Sequence, residues 1–379
     1  MFLIRSLAFC LLCATGHAHV MTPPPPHLPV KSYVLVDANS GQFLIGKDEN
    51  VKLPPASLTK IMSMYVLAES LKNNQTSIDE LVTVSPHAAR MEGSRMFIKP
   101  HEHVSVDKLI KGMMVVSGND ATVALAEHLA GSEDYFTTIM NHYAADIGLH
   151  NTHYETATGL PKGTQLSTAL DQAKLALKLL SNHSKLKHYY SEKHFSHNGV
   201  KQTNRNRLIF KDEHISGLKT GHTSEAGYNL VAGWDNGNQH LISVVMGASS
   251  DQARDSATQT LLKYGQRFFM TKTLFPAHSD VEQLRVYGAN EKFVPLQAHQ
   301  DVSITVPKGT QEVPKTVITK LSQPELPIST SQPLAEISIY QNNQLVAKYP
   351  LYSSTELHAG GWLRRTWDSV AYRWSKLLG

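Results

Sequence analysis

The apolar positions of this chain change their period twice. Between residues 32 and 46, Ser32-Tyr33-Val34-Leu35-Val36-Asp37 and Gln42-Phe43-Leu44-Ile45-Gly46 predict two strands around an Asn39-Ser40-Gly41 turn. Ile61, Met64, Ala68 and Leu71 then recur at threes and fours, which predicts a helix with one buried side. Pro54 and Pro55 suit its entry. A polar loop over 90–103 precedes helical patterns at 106–114, 121–130, 134–149 and 168–181. Strand patterns return at 215–220, 228–234 and 240–246, the last two joined by Asp235-Asn236-Gly237-Asn238, a strong hairpin turn. A helix over 254–269 closes the region. Helices surrounding an antiparallel sheet drawn from both ends of the region make an α+β layout. From about 275 the chain turns proline-rich. Short apolar runs at 293–296, 302–306 and 337–340 predict a small all-β domain.

Composition narrows the class. In 379 residues, 41% are hydrophobic and 18% charged, a globular balance without bulk disorder. A net charge of +4 is too mild to argue for a nucleic-acid partner. Arg5, the apolar run 7–14 and Gly16-His17-Ala18 read as an export signal over 1–18. That apolar core is too short to span a bilayer. The alternative, a buried N-terminal strand, fits poorly with the Pro23-Pro24-Pro25-Pro26 run in a linker over 19–29. Both cysteines, Cys10 and Cys13, lie in the signal. The mature chain then lacks disulfides, thiolate metal sites and cysteine nucleophiles. Among 20 histidines, His101-Glu102-His103 has neither helical ligand spacing nor a third partner, so it reads as polar loop. No metal or cofactor is expected.

Three stretches carry candidate chemistry. Ser57-Leu58-Thr59-Lys60 opens the first helix, placing Lys60 one turn beyond Ser57. A serine hydroxyl needs a base to take its proton, and a lysine whose pKa is lowered by burial or nearby positive charge can serve. Ser117-Gly118-Asn119 sits between two helices, where Ser117 can relay a proton and the Asn119 amide can bond Lys60 and a substrate amide together. Lys219-Thr220-Gly221-His222 lies at a strand end. There Lys219 and Thr220 offer a cation and a hydroxyl to a carboxylate, and Gly221 lets a substrate backbone approach. The backbone N–H of His222 pairs with that of Ser57 as an oxyanion hole in this reading. Each stretch alone also reads blandly, as a capping serine with a solvated lysine, a helix N-cap with Asp120 in that part, and a strand-end turn.

In this order and context, the three resemble the signature of penicillin-binding proteins and class A β-lactamases. The chain is similar to the low-molecular-mass penicillin-binding proteins, the exported serine-type D-alanyl-D-alanine carboxypeptidases. Gly93-Ser94-Arg95-Met96-Phe97, Asn204-Arg205-Asn206 and Ala226-Gly227-Tyr228-Asn229-Leu230-Val231 extend the resemblance. It implies a DD-peptidase/β-lactamase-like domain over 30–272, a β-rich domain over 273–355 and a membrane-anchor helix over 356–379. It further implies that Ser57 is acylated, Lys60 is its base, and Ser117 and Asn119 form the second wall. Lys219 and Thr220 hold the terminal carboxylate, with Arg205 and Arg254 near that pocket. Thr158 stands where some relatives carry histidine. The implied substrate is the peptidoglycan pentapeptide, with β-lactams as covalent inhibitors and a periplasmic location.

A β-lactamase would need a carboxylate base, and no Glu-x-x-Leu-Asn motif follows Ser117. A DD-endopeptidase shares the same site, and a non-catalytic membrane-tethered scaffold is disfavoured by intact Ser57, Lys60, Ser117 and Lys219. Three of the four tryptophans fall at 362, 367 and 374. Leu363, Trp367, Val370, Trp374 and Leu377 recur every three or four positions, beside or opposite Arg364, Arg365, Arg373 and Lys376, the composition of an interfacial helix. The competing reading is a helix docked on the β domain.

Overall fold

The computed structural model describes residues 22–311, 313–321 and 325–377, with side chains described as far as residue 370. The expected signal over 1–18 and the side chains of Trp374, Arg373, Lys376 and Leu377 lie outside the described residues. Strands β1 (Ser32–Asp37) and β2 (Phe43–Lys47) form the predicted hairpin. A 3-10 turn, Ala56–Thr59, leads into α1 (Lys60–Lys72). The stretch after it, where the sequence predicts only a polar loop over 90–103, folds into β3 (Leu81–Thr83), the one-turn α2 (Pro86–Ala89) and β4 (His103–Ser105), with β3 paired to β4. Helices α3 (Val106–Val115), α4 (Asn119–Ala130), α5 (Glu133–Ile147) and α6 (Ala169–Asn182) follow. A short α7 (His188–Ser191) and a hairpin of β5 (His194–His197) and β6 (Val200–Thr203) come next. Then come β7 (Ile215–Thr223), β8 (Gly227–Asp235), β9 (His240–Ala248) and α8 (Asp251–Phe268).

The helix starts are written locally. Ser105, Ser132, Thr168 and Ser250 each accept a hydrogen bond from the backbone N–H three residues on, opening α3, α5, α6 and α8. Asp120 does not act as the cap of α4, whose N-cap is Gly118 without a side-chain bond. Its carboxylate is spent on another segment, described below.

The main sheet runs β2-β1-β9-β8-β7, antiparallel throughout. Alternation sends its side chains into two cores. Val34, Val36, Val231, Ile242 and Val244 face the helical layer, whereas Tyr33, Leu35, Leu230, Leu241 and Val245 pack with α8 residues such as Leu261. Burial on both faces explains the near-continuous apolar runs of these strands. Helix α1 runs through the middle of the helical layer, against α3, α4, α5, α6 and β7. It is buried on every side from Lys60 to Ala68, not on one side as its threes-and-fours pattern predicts, and Leu71 is only half-buried. The pattern reports one stripe because Met62, Ser63, Tyr65 and Val66 fill the rest with residues of mixed polarity.

The second unit begins with β10 (Phe269–Phe275), which follows α8 without a break and pairs with β13 (Val302–Pro307). That start precedes the limit at 272–273 drawn from the sequence. Strands β11 (Asp280–Arg285), β12 (Phe293–Gln297), β14 (Lys315–Lys320), β15 (Pro333–Gln341) and β16 (Gln344–Ser353) form a sheet in the order β11-β12-β16-β15-β14. Its core includes Val294, Leu296, Ile304, Ile337 and Leu351. The two units are tied at the first hairpin turn. Thr271 Oγ1 donates to Asp37 at 2.6 Å, and the Ser40 and Thr305 hydroxyls meet at 2.7 Å.

Helix α9 (Trp362–Leu377) closes the described chain. Asp368 faces the β domain, 9% exposed, accepting from the Gly288 N–H at 2.9 Å. Arg364 donates to the Asn290 carbonyl at 2.6 Å. Trp362 and Trp367 point away, 70% and 75% exposed. The helix is therefore docked by a polar edge while its apolar side stays open. Among the described residues, no helix is long and apolar enough to cross a membrane.

Candidate active site

The site begins with a strained entry. Ala56 has a φ of +48°, a left-handed conformation that non-glycine residues seldom hold. Asn229, fully buried, steadies this bend by donating its amide to the Pro54 and Pro55 carbonyls, each at 3.2 Å. Ser57 thereby lies in the 3-10 turn at a half-buried position, and Lys60 opens α1 at 0% exposure.

Lys60 Nζ has three polar neighbours. They are Ser57 Oγ at 3.0 Å, Asn119 Oδ1 at 2.7 Å and the Thr158 carbonyl at 2.6 Å. Burial pushes the Lys60 pKa well below its ordinary value, and the Lys219 charge pushes it further down. Glu133 and Asp120 pull the other way. A neutral amine has two N–H donors and one lone pair. Carbonyl oxygens can only accept, so Asn119 and Thr158 take the two N–H bonds. The lone pair is left for the hydroxyl of Ser57, the arrangement of a general base.

The sequence reading missed Thr158 as a partner of Lys60. It is buried, and its part is played by a backbone carbonyl. What holds it is Gly159, at φ +84°, where an added Cβ would lie 1.9 Å from the Ala56 carbonyl oxygen. A Thr-Gly pair that permits such an approach was the only local signal.

Ser117 sits at φ +62° between α3 and α4 and lines the same cleft as Ser57. Asn119 lies lower, 4% exposed. Its Nδ2 donates to the Glu92 carbonyl at 2.7 Å, which fixes the amide with its oxygen toward Lys60. Asn119 is thus a spacer under the cleft, with one amide hydrogen already engaged. Asp120, which the sequence suggested as a cap, instead accepts from the N–H groups of Met96, Phe97 and Ile98 at 2.9, 2.8 and 3.3 Å. That clamps the loop bearing Ser94, which lines the cleft.

The opposite wall is β7. A register shift between Gly217 and Lys219 leaves Lys219 opposite Val231, whose side chain faces the helical layer. Lys219 is consequently buried behind the wall and donates to the Thr220 carbonyl at 3.0 Å. Burial, then Arg205 and Arg254, push its pKa down to about 7. Thr220, Gly221, His222, Arg205 and Arg254 line the cleft of about 630 Å³. Gly221 is required by the protein itself, since a Cβ there would lie 2.9 Å from the Pro55 oxygen and 3.2 Å from the Ser57 nitrogen. The His222 ring is exposed and lies against Tyr228 at 4.0 Å. Arg254 is buried and held by Asp255 at 2.6 Å. All ten residues singled out from the sequence therefore surround one cleft, seven of them lining it and Lys60, Asn119 and Lys219 beneath.

Comparison with known proteins agrees in both units. Residues 19–250 match the family described as D-alanyl-D-alanine carboxypeptidase, and residues 269–359 match the C-terminal domain of penicillin-binding protein 5. The D-alanyl-D-alanine carboxypeptidase DacC of Escherichia coli is 36% identical over 391 residues, spanning 100% of this chain and 98% of that protein. The crystal structure of penicillin-binding protein 5 from Haemophilus influenzae superposes with a TM-score of 0.75 at 36% identity, covering 88% of this chain and 99% of that one. A penicillin-binding protein from Listeria monocytogenes, solved with ampicillin bound, has a TM-score of 0.59 at 28% identity over 64% of this chain and 100% of that one.

Two outcomes follow from this geometry. The rate of acylation should rise with pH as Lys60 loses its proton, with the rise centred well below 10.5. Replacing Lys219 by Gln removes a neighbouring positive charge, so the Lys60 pKa increases and the rise moves to higher pH. A limb that stays in place in stopped-flow acylation profiles of Lys219→Gln would separate the two lysines. Second, Asp120→Ala leaves buried N–H groups without an acceptor and should destabilise the fold by about 3 kcal/mol in urea unfolding, with slower acylation. Unchanged stability would remove Asp120 from the clamp.

Proposed function

The chain belongs to the D-alanyl-D-alanine carboxypeptidases, serine peptidases that work through an acyl-enzyme, and from that premise we propose how its own residues divide the reaction. Lys60 takes the proton of Ser57 Oγ, which attacks the carbonyl of the penultimate D-alanine of a peptidoglycan stem peptide. The ester bond to Ser57 forms and the amide C–N bond breaks. Ser117 passes the proton to the departing amine, and free D-alanine leaves. Water then hydrolyses the ester and regenerates Ser57. The backbone N–H groups of Ser57 and His222 stabilise the oxyanion, and the proximity of Gly221 to the Ser57 nitrogen supports that pairing. Thr220, Arg205 and Arg254 receive the terminal carboxylate. Lys219 adds positive potential from behind the wall when protonated. The observation that carries this reading is the three-partner setting of Lys60.

Penicillins, which carry a comparable carboxylate, acylate Ser57 in the same reading. The two units divide after Phe268, where α8 passes directly into β10. The protein is exported by residues 1–18 to the periplasm, and α9 rests on the membrane surface. Exposed Trp362, Leu363, Trp367 and Val370 support this, as does the turning of Asp368 toward the β domain, which removes the one acidic group from the open side. Basic residues near anionic lipid add on the order of 1 kcal/mol each.

Ser57→Ala should abolish both D-alanine release and covalent penicillin labelling, read as intact-protein mass. Labelling that survives would assign the nucleophile elsewhere. Removing residues 360–379 should release the protein from anionic vesicles in flotation and leave penicillin labelling intact. Equal flotation of the truncated form would refute the anchor, and loss of the fold would make α9 a structural element of the β domain.

A further inference from the structure

The catalytic cleft ends at a partition, and a second basin of about 460 Å³ lies behind it. Arg207 and Asp251 belong to the walls of both. Arg207 Nη1 stands 3.4 Å from an Asp251 carboxylate oxygen, the arginine largely and the aspartate partly open to solvent. Beside them, buried Arg254 faces the cleft while Asp255, which accepts its Nε and Nη2 at 2.9 and 2.6 Å, faces the basin. The partition therefore has a fixed half and a soft half. A buried, doubly hydrogen-bonded pair keeps its geometry. An exposed pair is weak and screened by salt.

We infer that this basin receives the side chain of the leaving residue, and that the Arg207–Asp251 pair sets how large that side chain can be. The inference rests on the proposed seating of the terminal carboxylate against Arg254 and Thr220. A terminal D-residue held there stands beside the partition. The methyl group of D-alanine needs none of the space behind. A longer side chain has to pass between Arg207 and Asp251. It then meets Lys211, Gln252, Ser256 and Gln259, with two cationic and two carboxylate groups in the walls. Such a lining pairs with a polar side chain of no net charge. An apolar chain of the same length makes no hydrogen bond to Lys211, Gln252, Ser256 or Gln259 and displaces water from them, which disfavours it. The chemistry is unchanged. The ester to Ser57 forms, the amide bond breaks, and the larger D-amino acid departs as the free amine carrying the proton.

The test uses peptides ending in D-Ala–D-Ala, D-Ala–D-Gln and D-Ala–D-Leu, with kcat/KM for release measured on the full chain. The wild-type protein should release D-glutamine severalfold faster than D-leucine. Arg207→Ala should raise the D-glutamine to D-alanine ratio severalfold. Added salt should raise that ratio in the wild type but not in Arg207→Ala. Gln259→Leu should narrow the preference for D-glutamine over D-leucine. Ratios that match the wild type in both variants would overturn the inference. A wild-type protein that releases no residue and takes no penicillin label would overturn the underlying catalytic reading instead.

Discussion

The most demanding feature of this molecule is one amine kept out of water. Lys60 is fully buried at the start of the most enclosed helix, and an ammonium ion there would have to leave its hydration behind. Two carbonyl oxygens, from Asn119 and Thr158, satisfy its N–H groups and leave the lone pair for Ser57. A second buried cation, Lys219, makes protonation dearer still. Desolvation and like-charge repulsion thus favour the neutral amine that the proposed base requires, against the partial opposition of Glu133 and Asp120.

Much of the surrounding architecture can be read as keeping that amine in place. The Thr158 carbonyl reaches it because Gly159 lets the chain pass close to Ala56. Asn119 reaches it because the left-handed turn at Ser117 drops the start of α4 under the cleft, and Glu92 orients its amide. Asp120, one residue on, spends its charge on the loop that carries Ser94. Two left-handed non-glycine residues, Ala56 and Ser117, flank the centre. Strain at such positions persists only where neighbouring structure fixes it, here through Asn229 behind Ala56 and through the Gly118 and Asn119 N–H bonds to the Gly112 and Ser94 carbonyls beside Ser117.

The sequence made part of this legible and hid the rest for definite reasons. The first hairpin and the β8–β9 hairpin were visible because short apolar runs and the Asn- and Gly-bearing turns between them are local signals. The Ser57, Ser117 and Lys219 stretches were visible because their spacing and order form a signature. Thr158 was not, since a carbonyl oxygen belongs to every residue type. Asp120 was misread because the same side chain that caps a helix can also collect N–H groups from a distant loop. The depth of Lys219 depended on the irregular register beside Leu218, which residue pattern does not reveal. In the β domain, β11, with polar Asp280, Glu282 and Gln283, and β14, bounded by Lys315 and Lys320, were missed because edge strands bury little and alternate weakly. In the tail, the apolar stripe was legible. The inward turn of Asp368 was not, because it depends on the Gly288 N–H of another segment.

The central claim is that Lys60 is neutral in the resting protein at the pH where the peptidase works. The most direct measurement is an NMR titration of the lysine side-chain nitrogens and adjacent carbons, with the Lys60 signal assigned by its loss in Lys60→Arg. A resonance that behaves as a free amine at pH values well below 10.5, and gains its proton only as the pH falls further, is the predicted result. A Lys60 signal that remains an ammonium up to its ordinary value near 10.5 would contradict the account, because no lone pair would then face Ser57.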